Sequence, residues 1–130
     1  MIVVDASALL EVLLQTPLGA SVEDRLLENV HALHAPHLLD VEVVQVVRRL
    51  VLARDMDRER AQAALDDFLA FPVQRHAHEF LLPRVWALRD NFTAYDAIYV
   101  ALAEVLDATL LTHDRRLAAS ARRLVSVELA

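Results

Sequence analysis

Three apolar residues, Ile2, Val3 and Val4, stop abruptly at Asp5, and from Ala8 onward apolar side chains return at helical spacing as Leu9, Leu10, Leu13 and Leu14. This predicts a strand followed by a helix. Thr16-Pro17-Leu18-Gly19 breaks the rhythm, and Val22, Leu26 and Leu27 mark one side of a second helix over about 20–30. A brief strand is predicted at 32–35, after which Pro36 opens a long segment to about residue 54. Val41, Val43, Val44, Val46, Val47 and Val51 favour a strand there. Length decides for a helix, since strands usually end within about ten residues and Pro36 suits a first helical turn. Asp57 is placed to cap a helix over 57–71, which Pro72 ends before Val73 begins a short strand. Helices at 79–90 and 94–106, a strand at 109–112, a helix at 115–122 and a strand at 125–127 complete the pattern.

Strands alternating with helices imply an α/β fold, one domain over 1–130 with a short parallel sheet between two helical layers. With 56% hydrophobic residues, 130 positions suffice for a sizeable core. Composition removes several chemistries. There is no cysteine, hence no disulfide, thiolate site or thiol nucleophile. All 13 basic residues are arginine, which excludes Schiff-base catalysis and the phosphate-loop lysine. Gly19 is the single glycine, so no dinucleotide or phosphate loop can be built. A net charge of −6 argues against blanket neutralisation of duplex DNA, but not against a nuclease that uses cations and local arginines. The longest apolar run is 97–103, and no basic segment precedes Ile2, so a membrane span and a secretory leader are not expected; the expected location is the cytoplasm.

Ligands of parallel sheets bind beyond the carboxyl ends of the strands. Asp5 directly follows the first strand, and Asp114 follows the 109–112 strand with only His113 between, so both carboxylates stand on one rim. Asp96 lies three residues after Thr93 at the start of a helix, and Glu42 lies in the valine-rich helix. Asp5 and Asp114 also stand where N-caps stand, and Thr93 with Asp96 resembles a capping box. Glu42, Gln45 and Arg49 share one stripe of their helix, leaving Arg49 as a candidate ion-pair partner for Glu42. Carboxylates that do converge cannot all stay ionised unless a cation joins them, and oxygen-only ligands favour Mg²⁺ or Mn²⁺. The corresponding chemistry is hydrolysis of a phosphodiester.

These residues resemble the PIN domain, particularly its VapC-type toxins. The resemblance rests on Asp5-Ala6-Ser7 after the first strand, Glu42 in the third helix, the block from Thr93-Ala94-Tyr95-Asp96 to Ala103, and Leu110-Leu111-Thr112-His113-Asp114. It spans essentially the whole chain in order and spacing. It implies a three-layer α/β/α fold, a Mg²⁺- or Mn²⁺-dependent endoribonuclease acting on RNA such as tRNA or rRNA, a homodimer, and a cognate VapB-type antitoxin. Carried over by position, Asp5, Glu42, Asp96 and Asp114 would be the catalytic metal ligands, directly or through water. Ser7 and Thr112 would orient them, and Thr93 would fix the helix entry that aims Asp96. Gln45 stands where relatives often have asparagine, and Arg115 and Arg116 stand where some have another acid, which implies a weakly held second metal.

Other clusters are weaker. His31, His34 and His37 span a strand and a turn, so their rings need not converge on a metal. His76 and His78 alternate at a strand end, and His113 sits beside Asp114, where it can meet RNA. Arg115 and Arg116 are the favoured RNA-binding residues; Arg48, Arg49 and Arg54 read first as solvated. Trp86, Phe92, Tyr95 and Tyr99 read as core or interface rather than stacking platforms. A housekeeping PIN nuclease, or an inactive PIN-like binding module whose acids only cap helices, are the alternatives.

Overall fold

A computed structural model describes all of residues 1–130. The chain runs β1 (Ile2–Val4), α1 (Ala6–Leu13), α2 (Gly19–Leu27), β2 (Leu33–Pro36), α3 (Leu38–Leu52), α4 (Arg58–Ala70), β3 (Gln74–His76), α5 (Leu82–Ala87), α6 (Ala94–Leu106), β4 (Thr109–Thr112), α7 (Arg115–Ala121) and β5 (Val127–Leu129). All strand pairs are parallel, in the order β3-β2-β1-β4-β5. The chain therefore builds outward from β1 to β3, then returns to the far side of β1. Ile2 lies opposite Leu33 on one side and Thr109 on the other. The switch of direction falls between β1 and β4, where helices leave on opposite sides and a crevice opens at the strand ends.

Alternation along the strands sorts the core into two layers. Ile2, Val4, Leu33, Ala35 and Leu111 pack against α1 to α4 through Leu9, Leu13, Leu26, Leu39, Val43 and Phe68. Val3 and Leu110 face the other way, against Leu81, Val85, Tyr99, Leu102 and Leu117. The expected three-layer architecture is thus present.

Element ends differ from expectation where single residues decide. Pro36 closes β2 opposite His76 instead of opening α3: its fixed φ suits the extended strand, and the helix starts after His37. The helix expected over 79–90 is a 3₁₀ turn over Glu79–Leu81 followed by the short α5. Pro83 has no N–H to donate to the Glu79 carbonyl, so an α-helical turn cannot pass through it. The last strand lies two residues later than expected, set by pairing of Val127 with Leu110. Gly19 does not end a helix but opens α2, where a Cβ would collide with the Glu11 carbonyl of α1. The valine-rich segment is a helix, yet Val41 and Val44 remain exposed.

Candidate functional site

The first acid is fixed by the sheet. The Asp5 N–H donates to the Leu111 carbonyl at 2.9 Å, tying the end of β1 to β4 and placing the side chain in the crevice between them. Asp5 is only 6% exposed and makes no side-chain cap bond to α1, although it occupies the N-cap position. Its Oδ2 instead accepts from Ser7 Oγ at 2.6 Å and from Thr112 Oγ1 at 2.8 Å. Both hydroxyls are aimed by the loop after β4: His113 N–H donates to Ser7 Oγ and Asp114 N–H to Thr112 Oγ1. Backbone N–H groups thus polarise two hydroxyls that hold one carboxylate oxygen.

The remaining acids arrive from three helices. Asp114 caps α7, its Oδ1 accepting from Arg116 and Leu117 N–H. Thr93 caps α6 by accepting from Asp96 N–H at 3.1 Å, and the Asp96 carboxylate makes no return bond, so the capping box is half formed. Glu42 projects from α3, and its Oε1 accepts from Tyr99 Oη of α6 at 2.6 Å. Asp5, Glu42, Asp96 and Asp114 all line one cleft of about 430 Å³ with Ser7, Gln45, Arg49 and Tyr95. Asp96 and Asp114 also border a second hollow of about 230 Å³ that contains Thr93 and Arg116.

Burial and mutual repulsion both act on these groups. Burial pushes Asp5 above its ordinary range, against the two hydroxyls and with the help of Asp114. Burial likewise raises Glu42, with Asp5 and Asp96 adding repulsion and the Tyr99 hydroxyl opposing. Asp96 is raised by burial, Asp5 and Asp114, while the Thr93 side chain and then Arg116 partly relieve it. The Tyr99 phenol, buried beside Glu42, is held far above its usual value and stays protonated. Such crowding is the condition under which a divalent cation is welcome. The donor set, all carboxylate and hydroxyl oxygen, fits Mg²⁺ or Mn²⁺. No three of the acids meet closely enough to cage an ion by themselves.

The four acids and Ser7 line one cleft, Thr112 bonds Asp5 from β4, and Thr93 stands at the head of α6. The Arg49 side chain lines the cleft but does not bond Glu42; Tyr99 takes that part instead, because α6 presents it from the opposite layer. Tyr99 was readable as core, and its role here was missed. Its one sequence signal is its position three residues after Asp96, on the same helix face. Tyr95, read as core or interface, is not in the core: it is 64% exposed and borders the acids. Arg116 is beside Asp96 and Asp114, whereas Arg115 is exposed and lines neither hollow. The histidines pair across strands: His34 Nδ1 lies 2.8 Å from His76 Nε2, and His37 meets His78 edge-on. The His113 ring turns to the Ala130 carbonyl and Glu11, away from the acids.

Comparison with known proteins identifies the family. Residues 2–123 match the PIN domain family. Ribonuclease VapC1 of Mycobacterium tuberculosis (strain ATCC 25618 / H37Rv) is 45% identical over 119 residues, covering 91% of this chain and 89% of its own. Ribonuclease VapC12 of the same strain is 40% identical over 129 residues, covering 99% and 98%. Among solved structures, VapBC2 from Rickettsia felis, crystallised with a DNA fragment from its promoter, superposes with a TM-score of 0.73 at 16% identity, covering 99% of this chain and 98% of that one. The chain belongs to the PIN-domain family and, within it, to the VapC ribonucleases.

Proposed function

We propose that this protein is a Mg²⁺- or Mn²⁺-dependent endoribonuclease and the toxin of a type II toxin–antitoxin pair, acting in the cytoplasm on tRNA or rRNA and neutralised by a cognate VapB-type antitoxin. The observation that supports it best is a division of labour among carboxylate oxygens. Asp5 Oδ2 is held by two hydroxyls, Glu42 Oε1 by Tyr99 and Asp114 Oδ1 by the first turn of α7, and each leaves its second oxygen without a partner. Each acid is thereby fixed in direction while one oxygen stays available to a ligand.

When bound, the cation would supply an activated water and stabilise the departing oxygen. Asp5, Glu42, Asp96 and Asp114 would hold it, directly or through water. Ser7 and Thr112 keep Asp5 from rotating, and Thr93 sets the angle at which Asp96 enters. Arg116, beside Asp96, would meet the phosphate backbone and offset repulsion between RNA and the acids. Products ending in 5′-phosphate and 3′-hydroxyl are expected. VapC1 and VapC12 are named ribonucleases, which supports the reaction class.

The test is brief expression followed by sequencing of cellular RNA 5′ ends, alongside Asp5→Asn and Asp96→Asn. The reading requires new metal-dependent ends, growth arrest with the native sequence, and neither effect in the variants despite normal folding. RNA left intact, or cut equally well by either variant, would overturn it. Cutting without arrest would assign the protein to housekeeping RNA metabolism.

A further inference from the structure

Resting on the ribonuclease reading, we infer that Tyr95 and Arg49 form a nucleotide subsite beside the acidic centre, in which Tyr95 stacks on a base and Arg49 holds the adjoining phosphate. The cleft has a mixed lining: besides the four acids it is walled by Arg49, Gln45, Tyr95 and the apolar Leu38, Val41 and Val46. An apolar wall, an exposed aromatic and a lone guanidinium are what an unstacked nucleotide requires, a flat face for the base and a fork for the phosphate.

Tyr95 precedes Asp96 in the first turn of α6, so its backbone is fixed by the Thr93 cap, yet its ring is 64% exposed. A ring that contributes so little to the core is free to take up a base. Arg49 stands two turns along α3 from Glu42. Arg25, Arg75 and Arg84 each pair with a carboxylate, whereas Arg49 pairs with none. With Arg116 in the hollow on the other side of Asp96 and Asp114, the centre is bracketed by two cations. The two hollows share Asp96 and Asp114, so a single strand that reached both Arg49 and Arg116 would pass these acids. At about 430 Å³ the cleft lies within the ordinary range of small-ligand sites, roughly 300–1,000 Å³.

The experiment uses the whole protein and a fluorescent RNA pool of random sequence. Binding is followed in EDTA, where no cleavage occurs, and cleavage is followed separately in Mn²⁺. Tyr95→Ala and Tyr95→Leu should weaken EDTA binding about ten-fold or more and raise KM rather than lower kcat, while Tyr95→Phe and Tyr95→Trp keep both. Arg49→Gln should lower the slope of log affinity against log salt by about 0.7, the mark of one lost phosphate contact on a single strand. Melting curves verify folding of each variant, which the exposure of both residues favours. Native cleavage with unchanged binding in Tyr95→Ala, or an unchanged salt slope in Arg49→Gln, overturns the subsite and leaves the ribonuclease reading standing. A native protein that neither binds nor cuts the pool overturns both. A Tyr95→Ala variant that binds RNA normally but no longer self-associates, or escapes a co-expressed antitoxin, gives the ring to a protein partner and also overturns the subsite.

Discussion

Tyr99 Oη donates to Glu42 Oε1 at 2.6 Å, joining a helix of one layer to a helix of the other just past the end of the sheet. The ring is 1% exposed and belongs to the core of the α5 to α7 layer, so its hydroxyl is positioned by packing. Glu42 receives a donor whose place is set independently of Glu42.

Tyr99→Phe should therefore leave the fold intact while releasing Glu42. Loss of the donor raises the Glu42 pKa further, so the acid limb of the rate–pH profile should move to higher pH. Stability at neutral pH should fall by about 1–3 kcal/mol, since a half-buried carboxylate loses its partner. Urea unfolding and kcat/KM against pH check both; an unmoved acid limb would remove Tyr99 from the site.

Protonation and stability are linked through the raised acids. Because Asp5, Glu42 and Asp96 bind protons more tightly folded than unfolded, their stabilising contribution is full below about pH 4 and is lost as pH rises through the higher folded values. In EDTA, Asp5→Asn should melt several degrees above the native protein at neutral pH, with the gap closing toward pH 4. Added Mn²⁺ should reverse the order, raising native stability by about 2.7 kcal/mol at a hundred times its dissociation constant. Calorimetry at several pH values, with and without Mn²⁺, checks this.

Thr112→Val keeps shape but removes a hydroxyl that donates to Asp5 and accepts from Asp114 N–H. Ser7→Ala removes the companion donor. Each should weaken Mn²⁺ binding about 10- to 100-fold. Thr112→Val should also cost about 1–3 kcal/mol, because Thr112 is fully buried and its partners are left unpaired. Thr112→Ser should restore most of the metal affinity. Isothermal titration with Mn²⁺ measures all three.

Asp114 combines a cap and an open carboxylate oxygen, and the two can be separated. Asn caps about as well as Asp, so Asp114→Asn should leave the melting temperature within a degree or two while cleavage falls at least a hundred-fold. Asp114→Ala should lose cleavage and also about 1 kcal/mol of stability. Equal cleavage by the Asn variant and the native chain would reduce Asp114 to a cap.

The acids were legible in the sequence because each stands at a junction that local pattern reveals: Asp5 and Asp114 just past strands, Asp96 behind a capping threonine, Glu42 on a polar stripe of an apolar helix. Their arrangement followed from the parallel sheet that the alternation of elements implied. What escaped was set by contacts between distant elements. A tyrosine within a buried run reads as core, and nothing local says that Tyr99 ends at Glu42. Arg49 shares a helix stripe with Glu42, yet seven residues of helix place it further along the cleft rather than against the carboxylate. The same limit explains the prolines. Pro36 is equally suited to a strand end and a helix start, and its pairing with β3 decided between them. Of the two places that the pattern allows Tyr95, core or interface, its position in the first turn of α6, outside the packed stripe, removes the core.

The sheet order also governs when the acidic cleft is complete. β1 must wait for β4, more than a hundred residues later, before Leu111 receives the Asp5 N–H and Thr112 reaches the Asp5 carboxylate. Closing so long a loop is slow and entropically costly, and nearer contacts form first. A chain folded only through its opening half holds Asp5 and Glu42 without Thr112 and Asp114, so the acidic cleft is incomplete. The cleft is complete only once β4 lies beside β1, and local melting at that seam would part Asp5 from Thr112 and Asp114 together.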